Sequence, residues 1–499
     1  MPISTAVDAS AVARVVGIKT EFKDLRAGAI ALLPQRIAVV GQGSTASTYS
    51  TVKAQHTSAL SVGTTYGFGS PLHLAALQLL PANGDGVGTI PLTFYPLVDD
   101  GSGVAADGDI TPAGSPTVAA SYQVSINNIL SETFVIAVGD SIAVIITTMT
   151  AAINASLKMP MIATDNTTVL DLASKWKGTS ANDLVIEIIG STTAGTTFGL
   201  TQPVGGLVNP DVDDALNQVG DIWETLMLNC MDVADTATLD KYATFNEGRW
   251  GALVNKPLAA VFSGNLALTP ALAIVIPDAR KTDRTNSQIP EPGSNDLPFV
   301  VAARALARIA ARANNNPPYD YGSMPLTGLT PGTDGEQWDY LEKDTAVKGG
   351  SSTIGVKDGV VNISDTVTFY HPTGDTTPAH RYVVDNVKLQ NIIFNLSLIF
   401  ASTEWDGKPL IPDDQPTTNP DAKKPKMAVA DVAAMVDSLG LAAIISDPET
   451  AKGTIQAEID SGNPKRLNVS LTVQLSGNAN IISIDLNFGF FFGTPAVVA

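Results

Sequence analysis

Charge is scarce in this sequence: only 16% of its 499 residues are Asp, Glu, Lys or Arg, against ~25% in an ordinary soluble domain. A surface built of small neutral polar groups is cheaper to desolvate and suits wide contacts between protein subunits. Basic residues are the scarcer sign. Thirty Lys and Arg against 49 Asp and Glu leave a net charge of −19, which argues against a general attraction to nucleic acid or an anionic membrane. With a single cysteine, Cys230, no internal disulfide can form, and four histidines leave little material for a zinc site. This thiol usage fits a reducing compartment. The best apolar run, Ser141 to Leu157, is diluted by Thr and Asn and is too short to cross a bilayer comfortably. Met1 to Asp8 has neither a basic nor an apolar stretch, so no signal peptide is expected. The phosphate loop G-x-x-x-x-G-K-[ST], the hydrolase elbow G-x-S-x-G and the zinc helix H-E-x-x-H are all missing. No catalytic residue, cofactor or metal is expected.

What is present is apolar side chain, 44% of the chain, enough for a real core, and a length that suits two to four domains. Residues 1–36 read as an arm without a core, with five basic residues against three acidic. Within it, Ala13, Val15 and Gly17 alternate with Arg14, Val16 and Ile18, which permits a strand. Ile37-Ala-Val-Val40 reads as a buried strand closed by Gly41-Gln-Gly43, and a helix is predicted around Pro71 to Leu80.

From Val98 to about Gly205 the composition turns to Thr, Ser, Gly and Ala. This stretch reads as short strands around one helix (Ser141 to Leu157), carries ten acidic and three basic residues, and looks like an inserted domain. Helices and strands then alternate to about Asp375, including the strand Pro257 to Phe262 and the helix Pro298 to Ala313. Further helices are predicted at Val384 to Ser402, Lys426 to Leu439 and Pro448 to Ile459. The cleanest pattern comes last. Leu467, Val469, Leu471, Val473 and Leu475 alternate with polar residues, and after a turn so do Ile482, Ile484, Leu486 and Phe488. That predicts a β-hairpin with one apolar face, which is marginal alone and wants a covering partner. The fold class is therefore mixed α/β and α+β over several domains: 1–36 an arm, 37–97 with 206–375 a discontinuous core, 98–205 an inserted β-rich domain, 376–461 an α+β domain, and 462–499 a hairpin and arm.

Some motifs invite chemistry. Gly41-Gln-Gly43-Ser-Thr-Ala46 after a strand has the dinucleotide pattern G-x-G-x-x-A, but no acidic residue lies between Asp24 and Asp85 to hold a ribose. A glycine turn leaving a core strand is the better reading. His371 and His380 flank Asp375 in a Pro/Thr/Gly loop; a solvated loop or contact surface fits better than a metal pair. Arg304, Arg308 and Arg312 recur every four residues on one helix, either as a solvated basic face or as a docking face for an acidic surface.

The chain resembles the contractile-tail sheath proteins of Mu-like bacteriophages. The marks are Val15-Val-Gly-Ile-Lys-Thr-Glu-Phe22 with Leu33-Pro-Gln-Arg-Ile-Ala-Val-Val-Gly-Gln42, like the family's arm and first core strand. Lys177-Gly-Thr-Ser-Ala-Asn-Asp-Leu184 and Gly205-Gly-Leu-Val-Asn-Pro-Asp211 look like the end of its insertion. Ala302-Ala-Arg304, Pro325-Leu-Thr-Gly-Leu329, Gly349-Gly-Ser-Ser-Thr-Ile-Gly-Val-Lys-Asp-Gly-Val-Val361 and Thr366-Val-Thr-Phe-Tyr370 match its core. The resemblance implies a structural subunit in a virion tail, assembled in the host cytoplasm, forming six-fold rings stacked as a helix around a tail tube. It implies contact with baseplate and tail terminator proteins, and contraction that drives the tube through the host envelope. Terminal arms would complete small sheets on neighbouring copies. The contact residues expected on that basis are Val12, Val15 and Ile18 in the first arm, Arg304, Arg308 and Arg312 on the helix, and Leu467, Val469, Leu471, Val473, Ile482, Ile484, Leu486 and Phe488 in the hairpin. The sheath of a tailocin or secretion-type contractile injector fits the same residues. A nucleotide-dependent α/β enzyme and a polysaccharide-binding fibre are the readings from other classes.

Overall fold

The structure, a computed structural model, describes residues 30–82, 85–190 and 195–488. The described residues fall into a larger unit, 32–397 with 475–488, and a smaller one, 398–474 with 30–31.

The larger unit begins with β1 (Ile37–Gln42), whose six residues are all buried. An apolar run covered on both faces, here Ile37-Ala-Val-Val40, is what a central parallel strand requires. After β2 (Ala54–Gln55) come two helices, α1 (Ala59–Tyr66) and α2 (Pro71–Leu79). Ser70 caps α2 by accepting from the His73 amide, and Pro71 occupies the first turn, where its missing N–H costs nothing. Strand β3 (Leu92–Leu97) then returns beside β1.

The next hundred residues build two antiparallel sheets of their own. Their strands are β4 (Ala105–Gly114), β5 (Ala120–Ile126), β6 (Ile129–Leu130), β7 (Phe134–Ile136), β8 (Met161–Asp165), β9 (Leu170–Lys177), β10 (Ile186–Gly190) and β11 (Thr196–Val204), with α3 (Ile142–Ala155) between β7 and β8. One sheet has the order β11-β4-β9-β8. In the other, β5 is flanked by β10 on one side and by β6 and β7 on the other. Among the described residues, none of these strands pairs with the parallel sheet. They are nonetheless fastened to the rest of the unit. The β5–β6 turn places Asn127 and Asn128 at φ 48° and 62°, as a two-residue hairpin demands. From there the Asn128 amide donates to Asp296 Oδ1 at 2.8 Å and the Asn127 amide to the Asn295 carbonyl at 2.8 Å. Trp176, fully buried, meets Phe299 edge to face at 6.2 Å.

The chain then completes the parallel sheet. Helix α4 (Asp213–Val219) leads to β12 (Leu226–Asn229), α5 (Thr236–Trp250) to β13 (Ala260–Asn265), and α6 (Pro270–Ala273) with α7 (Val275–Asp278) to β14 (Asn286–Pro290). The order β14-β13-β12-β1-β3 is parallel throughout, and β2 is an antiparallel edge strand. Helix α8 (Pro298–Asn315) crosses β12, β13 and β14 and packs on α2, burying Phe299, Ala302, Ala305, Leu306, Ile309 and Ala313. Gly264 permits this approach: a Cβ there would lie 1.9 Å from the Pro298 carbonyl carbon. Backbone cannot yield that much without moving β13 or α8. Gly264→Ala is expected to cost about 3 kcal/mol, read as a lowered urea midpoint.

Helix α9 (Tyr340–Lys348), which starts in a full capping box of Asp339 and Glu342, precedes the hairpin of β15 (Thr353–Lys357) and β16 (Val360–Asp365). Helix α10 (Val383–Phe400) follows. The smaller unit holds α11 (Pro425–Leu441), β17 (Ile445–Ser446), α12 (Pro448–Gly453), β18 (Gln456–Ile459) and β19 (Leu467–Ser470). Two expectations are corrected here. The helix read as far as Ile459 ends at Gly453, because Gln456–Ile459 pairs as a strand. The terminal hairpin does not close on itself. Leu467–Ser470 pairs with β18 instead, setting Ile459 opposite Leu467 and Ala457 opposite Val469. Residues 476–488 form no strand. Alternation of apolar and polar residues does not say which strand a row pairs with.

Candidate assembly surfaces

The glycine turn after β1 lies between β1 and β12, where the strand order reverses and α/β sheets of this kind bind ligands. Here that crevice is full. The Gly43 amide donates to the Tyr49 hydroxyl at 3.0 Å, the Ser44 amide to the Tyr66 carbonyl at 2.7 Å and the Thr45 amide to the Lys175 carbonyl at 2.7 Å. Those are the amides a phosphate would need. The Gln42 side chain spans Asp99 Oδ1 (2.6 Å) and the Lys177 carbonyl (2.8 Å). A Cβ on Gly43 would sit 2.4 Å from the Tyr49 ring. The glycines serve close packing.

His371 and His380 face different partners. His371 Nδ1 is 2.7 Å from the Phe369 carbonyl, whereas His380 Nδ1 is 2.8 Å from Asn386 Oδ1. Among the described residues, no group of three His, Cys, Asp or Glu is placed to hold a metal ion, and no helix is long and apolar enough to cross a membrane.

Of the arginine row only Arg304 is buried, while Arg308 and Arg312 are partly exposed. Arg304 is only 2% exposed and turns inward, with Nη1 donating to the Asp85 carbonyl at 2.7 Å and Nη2 to Asp85 Oδ2 at 2.5 Å. Arg308 pairs with the other carboxylate oxygen, and the Thr327 hydroxyl donates to Oδ2 at 2.6 Å. Arg312 donates to the Asp320 carbonyl at 2.8 Å, and its guanidinium lies 4.5 Å from the Tyr319 ring centroid. A docking role for Arg304 is therefore set aside. The row clamps α8 to the segment at Asp85 and to the loops that follow the helix. Partial burial would raise the Asp85 pKa, but the Thr327 hydrogen bond and the two guanidiniums outweigh it and hold the carboxyl below its usual range.

A buried acid was not anticipated. Glu291, just past β14, is 7% exposed, and neither of its carboxylate oxygens has a hydrogen-bond partner among the described residues. Burial, reinforced by the charge of Asp296, pushes its pKa up to about 9. An acid whose pKa rises on folding is carried protonated. Its burden is absent below the ordinary value of 4.5 and grows as pH rises toward about 9. Glu291→Gln is thus expected to leave stability nearly unchanged at acid pH and to raise it by about 2 kcal/mol in mildly alkaline buffer, measured by urea unfolding across pH.

Of the other residues expected at contacts, Val12, Val15 and Ile18 lie outside the described residues. Leu467, Val469, Leu471 and Val473 are half-buried, while Ser470, Thr472 and Gln474 between them are exposed. Ile482, Ile484, Leu486 and Phe488 are 75–86% exposed. None of these four residues lies in a strand, and an exposed run with an apolar side chain at every second position marks a surface that wants covering.

No protein-family model matches the chain. It is similar to the Mu-like prophage FluMu tail sheath protein of Haemophilus influenzae, at 23% identity over 413 residues that span 80% of this chain and 82% of that protein. Among solved structures it is similar to the sheath tail protein Lin1278 of Listeria innocua, with 14% identity, 90% of this chain and 93% of that one covered, and a TM-score of 0.48. It is also similar to the sheath of an extracellular contractile injection system in its contracted state, with 10% identity, 96% and 99% covered, and a TM-score of 0.44. These relatives are structural sheath proteins, not enzymes.

Proposed function

We propose that this chain is the structural subunit of a contractile phage tail sheath. The likeness to a tail sheath protein along 80% of the chain carries the reading. The exposed apolar row from Ile482 to Phe488 and the filled crevice beside β1 support it, the first by requiring a partner and the second by leaving no room for a nucleotide.

Copies would stack as six-fold rings wound into a helix around the tail tube, between baseplate and terminator proteins. Residues 98–205 would form an outer domain and 1–36 a tether reaching a neighbour. Tethers of paired strands stay joined while bodies slide, since backbone hydrogen bonds in a ladder do not depend on how the bodies pack. Contraction would then be a bistable rearrangement from a metastable extended lattice to one with better-fitting surfaces, driving the tube into the host envelope without fuel. Both ends of the chain are mildly basic, +2 over 1–36 and +1 over 461–499, against an acidic body, and this difference favours contact between copies.

The test is sedimentation of the purified protein over a range of concentrations, with and without EDTA and with no nucleotide added. Concentration-dependent pelleting indifferent to EDTA is expected; a species that stays monomeric at every concentration, or assembly that EDTA abolishes, contradicts the proposal.

A further inference from the structure

Lys388, on α10, is completely buried, which is rare for a lysine. An ammonium has three protons to give, and each finds an acceptor here: Asp385 Oδ1 at 2.9 Å, the Ser476 carbonyl at 2.6 Å and Asn478 Oδ1 at 2.8 Å. Only the first belongs to its own helix. The other two come from a stretch some ninety residues later, where the chain has returned to the larger unit. Asn478 is itself held on its other side, its amide donating to the Pro318 carbonyl at 2.8 Å. Three residues on, the character changes: Ile481, Ile482, Ile484, Leu486 and Phe488 all stand exposed.

We infer that Lys388 is the positioning residue for the C-terminal segment, clamping Ser476 and Asn478 to α10 so that the apolar row leaves the body from one fixed root. A buried ammonium stripped of two acceptors is costly, so the segment is held by the lysine's need as much as by its own contacts. Water can satisfy the same groups only if residues 476–478 lift away, which makes the clamp two-state. The consequence for assembly rests on the sheath reading proposed above: a strand presented from a fixed root loses less entropy on pairing with another copy than one tethered loosely.

The experiment is hydrogen–deuterium exchange, read by mass spectrometry, on the dilute full chain and on Lys388→Met and Asn478→Ala. If the clamp exists, amides of residues 475–480 exchange at least ~10-fold faster in both variants, while peptides from β1, β12 and β13 keep the parent's protection. Unchanged exchange at 475–480 in both variants overturns it, as does loss of protection throughout the chain in both. If Lys388→Met alone unfolds, Asn478→Ala decides, because it removes one acceptor and leaves the ammonium two. Sedimentation of the same variants separates this inference from the reading beneath it. Loosened exchange with a several-fold rise in the concentration needed to pellet supports both; loosened exchange with unaltered pelleting keeps the clamp and rejects its part in assembly.

Discussion

A chain ending at Ala479 is expected to fold like the parent and to fail to assemble. The side chains it loses from the row, Ile482, Ile484, Leu486 and Phe488, stand exposed in the single chain, so among the described residues the body gives up no core. In a lattice each would be covered. Burial of one such side chain is worth roughly 1.5–3 kcal/mol, and ordering the segment takes back part of that. A net loss of even 3 kcal/mol per copy would raise the concentration needed for assembly more than a hundredfold. Sedimentation beside the parent reads this directly, with circular dichroism to confirm that the fold is intact. A truncated chain that pellets like the parent would show that the segment is not a tether. A single Ile484→Asp change should act in the same direction, by placing a charge in the row.

The second large effect is expected at Arg304. Its guanidinium is buried against Asp85, and Asp85 also takes Arg308 and Thr327, so removing one partner leaves charge in a place poor in water. Arg304→Met is expected to lower stability by about 3 kcal/mol. Asp85→Asn should lower it by less, because Asp85 is the more exposed partner, and the double variant should lose less than the two single changes together. The pH dependence has a definite sign. A carboxyl held below its ordinary range contributes stability above that range and loses it as pH falls through the lowered value. The gap between parent and Asp85→Asn should therefore narrow in strong acid. A gap independent of pH would mean that the carboxylate charge is not what holds α8.

The sequence made some of this plain and hid the rest for identifiable reasons. Ile37-Ala-Val-Val40 announced a central strand because parallel strands are apolar on both faces. Helix α8 was visible from Phe299, Ala302, Leu306, Ile309 and Ala313 on one side. The fate of Arg304 and Arg308 was not visible: their spacing puts them on one stripe with Arg312, but their shared partner Asp85 lies 219 residues before Arg304 and 223 before Arg308. Strands β4 and β11 escaped notice because Gly108, Pro112, Gly199 and Pro203 depress any local strand signal, while the pairing of β4 between β11 and β9 supplies what propensity does not. Glu291-Pro-Gly-Ser-Asn-Asp296 reads locally as a polar turn, and nothing in it says that both acids point inward. The alternation from Leu467 marked a strand and left open its partner, which is β18.

The central claim is that copies of this chain build a sheath. Negative-stain electron microscopy of the purified full-length protein, concentrated in buffer without nucleotide or metal, tests it most directly. Hollow tubes or stacked rings of uniform width with six-fold end views are the expected result; a field of discrete, separate particles at every concentration would contradict it.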